Sequence, residues 1–96
     1  MNNPKQIGGL LKNILQEVGL WEQVQGNRLF LDWSSMVGEK IAAHVQPTRF
    51  DPDTCELWLE VENPVWRTEI INIREALIAR LNERLGAKII RNIRIM

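Results

Sequence analysis

Residues 55–86, CELWLEVENPVWRTEIINIREALIARLNERLG, decide the fold. In their first part Cys55, Leu57, Leu59 and Val61 alternate with Glu56, Trp58, Glu60 and Glu62, a period of two that predicts a strand with one apolar and one charged face. Asn63-Pro64 follows. Asn can cap the free amides of a helix, and Pro at the first helical position gives up no hydrogen bond it would have made. Trp66, Ile70, Ile73, Leu77, Leu81 and Leu85 then recur at spacings of three and four until Gly86. The spacing predicts a helix over Pro64–Leu85, about 33 Å long at 1.5 Å per residue.

Upstream, Thr48 to Phe50 and the turn Asp51-Pro52-Asp53-Thr54 supply a first strand, so the pair should form a hairpin. Before it, Ile7, Leu10, Leu11, Ile14, Leu15 and Val18 predict an amphipathic helix ended by Gly19. A second helix is expected from about Leu20 to Met36, weakened at Gly26. Val37-Gly38 then precede a short helical piece, Glu39 to His44, which Pro47 prevents from continuing. Downstream, Lys88 to Ile95 is rich in isoleucine and reads as a closing strand. The order is helix, helix, strand, strand, helix, strand. Such a small sheet cannot bury its apolar face against itself, so the helices must cover one side in a two-layer α+β arrangement with a three-stranded sheet. The other side stays open to water or to a partner.

The 96 residues have room for one domain, 1–96, in which residues 1–6 are expected to be flexible. With 45% hydrophobic and 25% charged residues the chain can build a core. No export signal and no apolar run of membrane-spanning length is read, and the single cysteine cannot form an internal disulfide, so a cytoplasmic location is expected. The formal charge is zero but unevenly spread. Residues 1–62 hold five basic against nine acidic residues, and residues 63–96 hold seven basic (Arg67, Arg74, Arg80, Arg84, Lys88, Arg91, Arg94) against three acidic. This polarity either steers an anionic partner toward the C-terminal third or pairs one part of the domain with the other.

Chemistry is sparse. His44 is the only histidine, which excludes a Cys/His cluster or a two-histidine metal site. Cys55 is expected at an inward strand position, filling core space. Asp51 and Asp53 read as turn residues bonding local amides. Gly8-Gly9 lacks the Walker lysine and the dinucleotide-binding spacing, and no GxxG loop is present. No catalytic apparatus, metal or cofactor is expected.

Trp33, Val37-Gly38, Ile41-Ala42, His44 and Pro47, taken with Leu57, Val61, Pro64-Val65-Trp66, Leu77, Leu81-Asn82 and Leu85-Gly86, form an ordered pattern. In this the chain resembles the DciA family, small bacterial proteins associated with the replicative DNA helicase, from about residue 7 to residue 96. The resemblance implies a KH-like domain of the element order just given. It also implies a DNA-replication accessory protein that contacts the helicase, promotes its loading and has some affinity for DNA. Family members often carry a basic or disordered extension, or a preceding cysteine-rich one. Neither is read here, so DNA binding is expected to be weak.

Arginine presents a planar donor fork to phosphate, which makes Arg67, Arg74, Arg84, Lys88, Arg91 and Arg94 the candidate contacts. Arg67 and Arg74 are expected to form one patch on the long helix. Lys88, Asn92 and Arg94 share a strand parity and should join Trp58 on the uncovered sheet face as a second, where cation and aromatic together suit nucleic acid. Trp58 itself is either a contact residue or is covered by an arginine stem or the N-terminal segment. Glu56, Glu60 and Glu62 share its parity and could neutralise the basic strand instead. A protein-binding module without nucleic-acid contact is the competing reading.

Overall fold

The computed structural model describes residues 4–96, with side chains described from Gly9 onward. Its elements are α1 (Pro4–Glu17), α2 (Trp21–Leu31), α3 (Trp33–Val37), α4 (Glu39–Ala42), β1 (Val45–Asp51), β2 (Glu56–Val61), α5 (Pro64–Leu85) and β3 (Asn92–Ile95). The sheet order is β1-β2-β3, with β1 antiparallel and β3 parallel to β2. Parallel neighbours need a long crossover, and the 22 residues of α5 provide it. The result is an α+β domain with helices on one face of a mixed sheet, in a KH-like arrangement.

The long helix has the predicted bounds, and both ends have visible causes. Asn63 Oδ1 accepts from the Trp66 amide at 3.0 Å, Pro64 occupies the first turn, and Gly86 closes the helix at φ +80°. Its inward side chains Ile70, Leu77, Leu81 and Leu85 are buried, while Trp66 and Ile73 pack at the core margin. Against them lie Leu57, Leu59 and Ile93, the inward parity of β2 and β3. Each such burial contributes roughly 1.5–3 kcal/mol.

Several boundaries differ from expectation. The span from Leu20 to Met36 is two helices, broken at Asp32 and not at Gly26. Gly26 is continuous helix because α2 lies hard against β1 there, and a methyl group at that position would overlap the Phe50 ring. Trp33 turns inward and its indole N–H donates to the Val45 carbonyl at 2.7 Å, tying α3 to β1. The bend before α4 falls at Gly38, whose φ of +91° disfavours any side chain. β1 begins at Val45, ahead of Pro47, which an edge strand tolerates; its register slips between Pro47 and Arg49 in a bulge.

Cys55 is not an inward strand residue. It ends the four-residue turn Pro52–Cys55 at φ +58°, half-buried, with its thiol donating to the Pro52 carbonyl. The closing strand is also shorter than Lys88–Ile95. Ile89 and Ile90 are consecutive and both buried, which alternation forbids, because Asn82 holds this loop: its amide oxygen accepts from Ile89 and Ile90 and its amide nitrogen donates to the Ile90 carbonyl. Lys88 and Arg91 therefore lie outside β3.

The amphipathic first helix exists, but its apolar face is not spent on the sheet. Leu10, Leu11, Ile14 and Val18 are 48% to 63% exposed, and α1 touches the domain chiefly at α2, where the Lys12 ammonium sits 5.3 Å from the Trp21 ring centroid. Of the expected flexible residues 1–6, residues 1–3 lie outside the described residues, and Pro4 begins α1.

Candidate nucleic-acid interface

The parity of β2 that buries Leu57 and Leu59 turns Glu56, Trp58 and Glu60 to the uncovered face. Hairpin register sets Arg49 opposite Trp58, and parallel register sets Arg94 beside it on the other flank. Both guanidinium carbons approach the indole, Arg49 at 5.9 Å and Arg94 at 5.7 Å from the ring centroid. Cation–π contacts of this kind contribute about 0.5–1 kcal/mol at exposed sites. Trp58 is thus half-buried by arginine stems while remaining at the surface.

Acidic groups temper the patch. Glu56 accepts from Arg94 Nε and Asn92 Nδ2, and these bonds, the one from Arg94 foremost, hold its carboxyl below the usual range. Glu62 is drawn away from Trp58 to His44 Nδ1, and the His44 ring stacks on Trp66 at 4.8 Å. At the far end of the hairpin Asp51 Oδ1 accepts from the Asp53 and Thr54 amides, as expected of a turn residue. The Asp53 amide is the main reason its carboxyl also lies low. His44 and Cys55 occupy opposite ends of the hairpin, about 20 Å apart at 3.3 Å per residue, too far to act as base and nucleophile.

The two patches expected from the sequence meet. Arg67 and Arg74 on α5 face the free edge of β3, and with Trp58, Asn92, Ile93 and Arg94 they border one cleft of about 240 Å³. Arg67 Nη2 donates to the main-chain oxygen of Met96 at 2.6 Å, while Arg74 Nε is buried with no hydrogen-bond partner among the described residues. The other three candidates are elsewhere. Lys88 and Arg91 flank a separate hollow at the C-terminal end of α5 beside Glu83, and Arg84 lies on the outer side of α5 near Ala76 and Arg80. Lys88 cannot join Trp58 as strand parity suggested, because the Asn82-bound loop carries it off the sheet. Sequence reasoning missed Arg49; counting the hairpin register outward from the Asp51–Glu56 pair would have found it.

Among the described residues no group of three or more His, Cys, Asp or Glu could hold a metal ion, and no helix is long and apolar enough to cross a membrane. The family model described as Dna[CI] antecedent, DciA, matches residues 6–95. The chain belongs to the DciA family. It is 29% identical over 93 residues to a UPF0232 protein of Streptomyces avermitilis, covering 97% of this chain and 51% of that one. A UPF0232 protein of Streptomyces coelicolor is 28% identical over 94 residues, 98% of this chain and 50% of the relative. One from Mycobacterium tuberculosis is 23% identical over 95 residues, again half of the relative. The chain thus spans about half the length of the curated relatives it matches.

Proposed function

We propose that this DciA-family chain is a cytoplasmic DNA-replication accessory protein that contacts the replicative DNA helicase, promotes its loading and binds DNA weakly through the open sheet face. The observation that carries the DNA reading is Trp58 held between Arg49 and Arg94. Cations beside an aromatic combine phosphate attraction with a surface on which a base can stack. Arg67 and Arg74 at the rim of the same cleft add positive potential. Glu56, already paired with Arg94, and the exposed Glu60 oppose it, which accounts for weak affinity. Arg84, Lys88 and Arg91 face other surfaces and are given no part in this contact. The helicase contact rests on the family assignment.

The double variant Trp58→Ala with Arg94→Glu tests the surface. Both side chains sit outside the core, so circular dichroism and melting should stay nearly unchanged while DNA affinity falls roughly tenfold or more, since aromatic stacking is worth about 1–3 kcal/mol per base. Undiminished DNA binding by the folded variant would remove this face from the account. Binding of the purified replicative helicase, measured separately, tests the other half; no association at micromolar concentrations would contradict it.

The competing reading, a protein-binding module without nucleic-acid contact, draws on the exposed apolar face of α1. It predicts helicase association with no DNA affinity at low salt.

A further inference from the structure

β3 is an end strand of the sheet, and its outer side has no strand partner among the described residues. The amides of Asn92 and Met96 point inward, to the carbonyls of Cys55 at 3.4 Å and Leu59 at 2.9 Å. Backbone groups of successive residues in a ladder alternate in direction. The N–H and C=O groups of Ile93 and Ile95 therefore point outward, into the cleft that both residues line.

The opposite wall of that cleft is α5. Arg67 and Arg74 stand seven residues apart, nearly two full turns, so they share one side of the helix about 10 Å apart. Ile71 lies between them and is 48% exposed, an apolar side chain framed by two cations. Arg67 reaches the main-chain oxygen of Met96 but no Asp or Glu side chain, and Arg74 Nε has no partner among the described residues. No Asp or Glu lines the cleft itself, and Glu56 at its rim is already paired with Arg94 and Asn92. Open backbone, two cations and an apolar spot thus run side by side.

We propose that this edge takes an extended acidic peptide segment of another protein as a fourth strand, its backbone pairing with Ile93 and Ile95 and its carboxylates with Arg67 and Arg74. An added strand draws affinity from main-chain hydrogen bonds and specificity from alternate side chains. Here those side chains would set carboxylates on the two arginines and an apolar group on Ile71. A peptide fits this edge better than a nucleic acid does, because a phosphodiester backbone accepts hydrogen bonds but donates none, and would leave the Ile93 and Ile95 carbonyls unpaired. A second copy through its own β3 edge is disfavoured by like charge, since Arg67, Arg74 and Arg94 of two chains would meet. The inference shares Arg67 and Arg74 with the DNA reading but rests on the strand edge, whereas the DNA reading centres on the Trp58 ring.

The test is a nuclear magnetic resonance titration of the isotope-labelled full chain, free of DNA, with a capped synthetic peptide of alternating glutamate and valine. The Ile93 and Ile95 amides should shift and exchange more slowly with solvent. The same peptide N-methylated at alternate amides keeps its charge but cannot form the ladder, and should bind roughly tenfold or more weakly. Arg67→Glu should weaken the parent peptide to a similar degree. Equal affinity for the methylated peptide, or shifts that leave Ile93 and Ile95 untouched, would overturn the proposal. So would an oligonucleotide that moves these two amides when the peptide does not. Peptide binding without oligonucleotide binding would sink the DNA reading alone.

Discussion

Gly26 and the Asp51–Glu56 turn show how single residues hold this domain in register. Gly26 reads in the sequence as a weak point of a helix, yet it is where α2 comes closest to the sheet, with the Phe50 ring filling the space a methyl group would need. Gly26→Ala should therefore destabilise the fold by about 1–3 kcal/mol, the usual cost of overpacking, despite alanine's better helix propensity. Urea denaturation measures it, and a gain in stability would show that α2 does not lie so close to β1. Asp51 and Glu56 add a pH dependence with a definite sign. Both carboxyls are held below the usual carboxylate range, by the Asp53 amide and by Arg94 first. A depressed folded-state value means stabilisation that is complete above the unfolded value and fades as pH falls through the folded one. Melting temperature should hold level from neutrality to about pH 5 and drop below about pH 4, with Asp51→Asn losing part of that acid sensitivity. A melting temperature in Asp51→Asn that falls with acid as steeply as in the parent would contradict the assignment.

At the scale of elements, what was legible in the sequence is what local chemistry specifies. α5 carries its own cap, its Pro and its terminal Gly, so its bounds follow from the sequence. The parity of β2 follows from its alternation, and with it the outward placement of Trp58. Elements that depend on remote partners cannot be read from local periodicity. β3 is shorter than its isoleucines suggest because Asn82, on another element, ties Ile89 and Ile90 into a loop. Lys88 was lost from the candidate surface and Arg49 gained for the same kind of reason, since loop capture and strand register lie beyond local periodicity. Asn82→Ala removes three hydrogen bonds of this loop at once. It should cost about 3 kcal/mol or more, three groups losing their partner at about 1–3 kcal/mol each, and should speed amide exchange at Ile89 and Ile90 while leaving the β1–β2 hairpin unaffected. Uniform loss of protection across the whole domain would argue instead that the loop is integral to the core.

For the whole molecule, zero net charge conceals a division between a basic C-terminal third and an acidic remainder. The fold does not cancel it entirely within the molecule. Glu56 takes up Arg94 and Asp51 takes up Arg49, but Arg67 and Arg74 pair with no Asp or Glu side chain among the described residues. This residual charge, on the wall of the cleft that Trp58 also lines, should give the domain a weak, electrostatic affinity for DNA. Titration of a labelled single-stranded oligonucleotide over a series of salt concentrations tests it most directly. Log affinity should fall linearly with log salt, with a slope near −1.5 to −3 for about two to four phosphates neutralised at roughly −0.7 each on a single strand. Binding that is absent at about 50 mM salt, or an affinity indifferent to salt, would contradict the account.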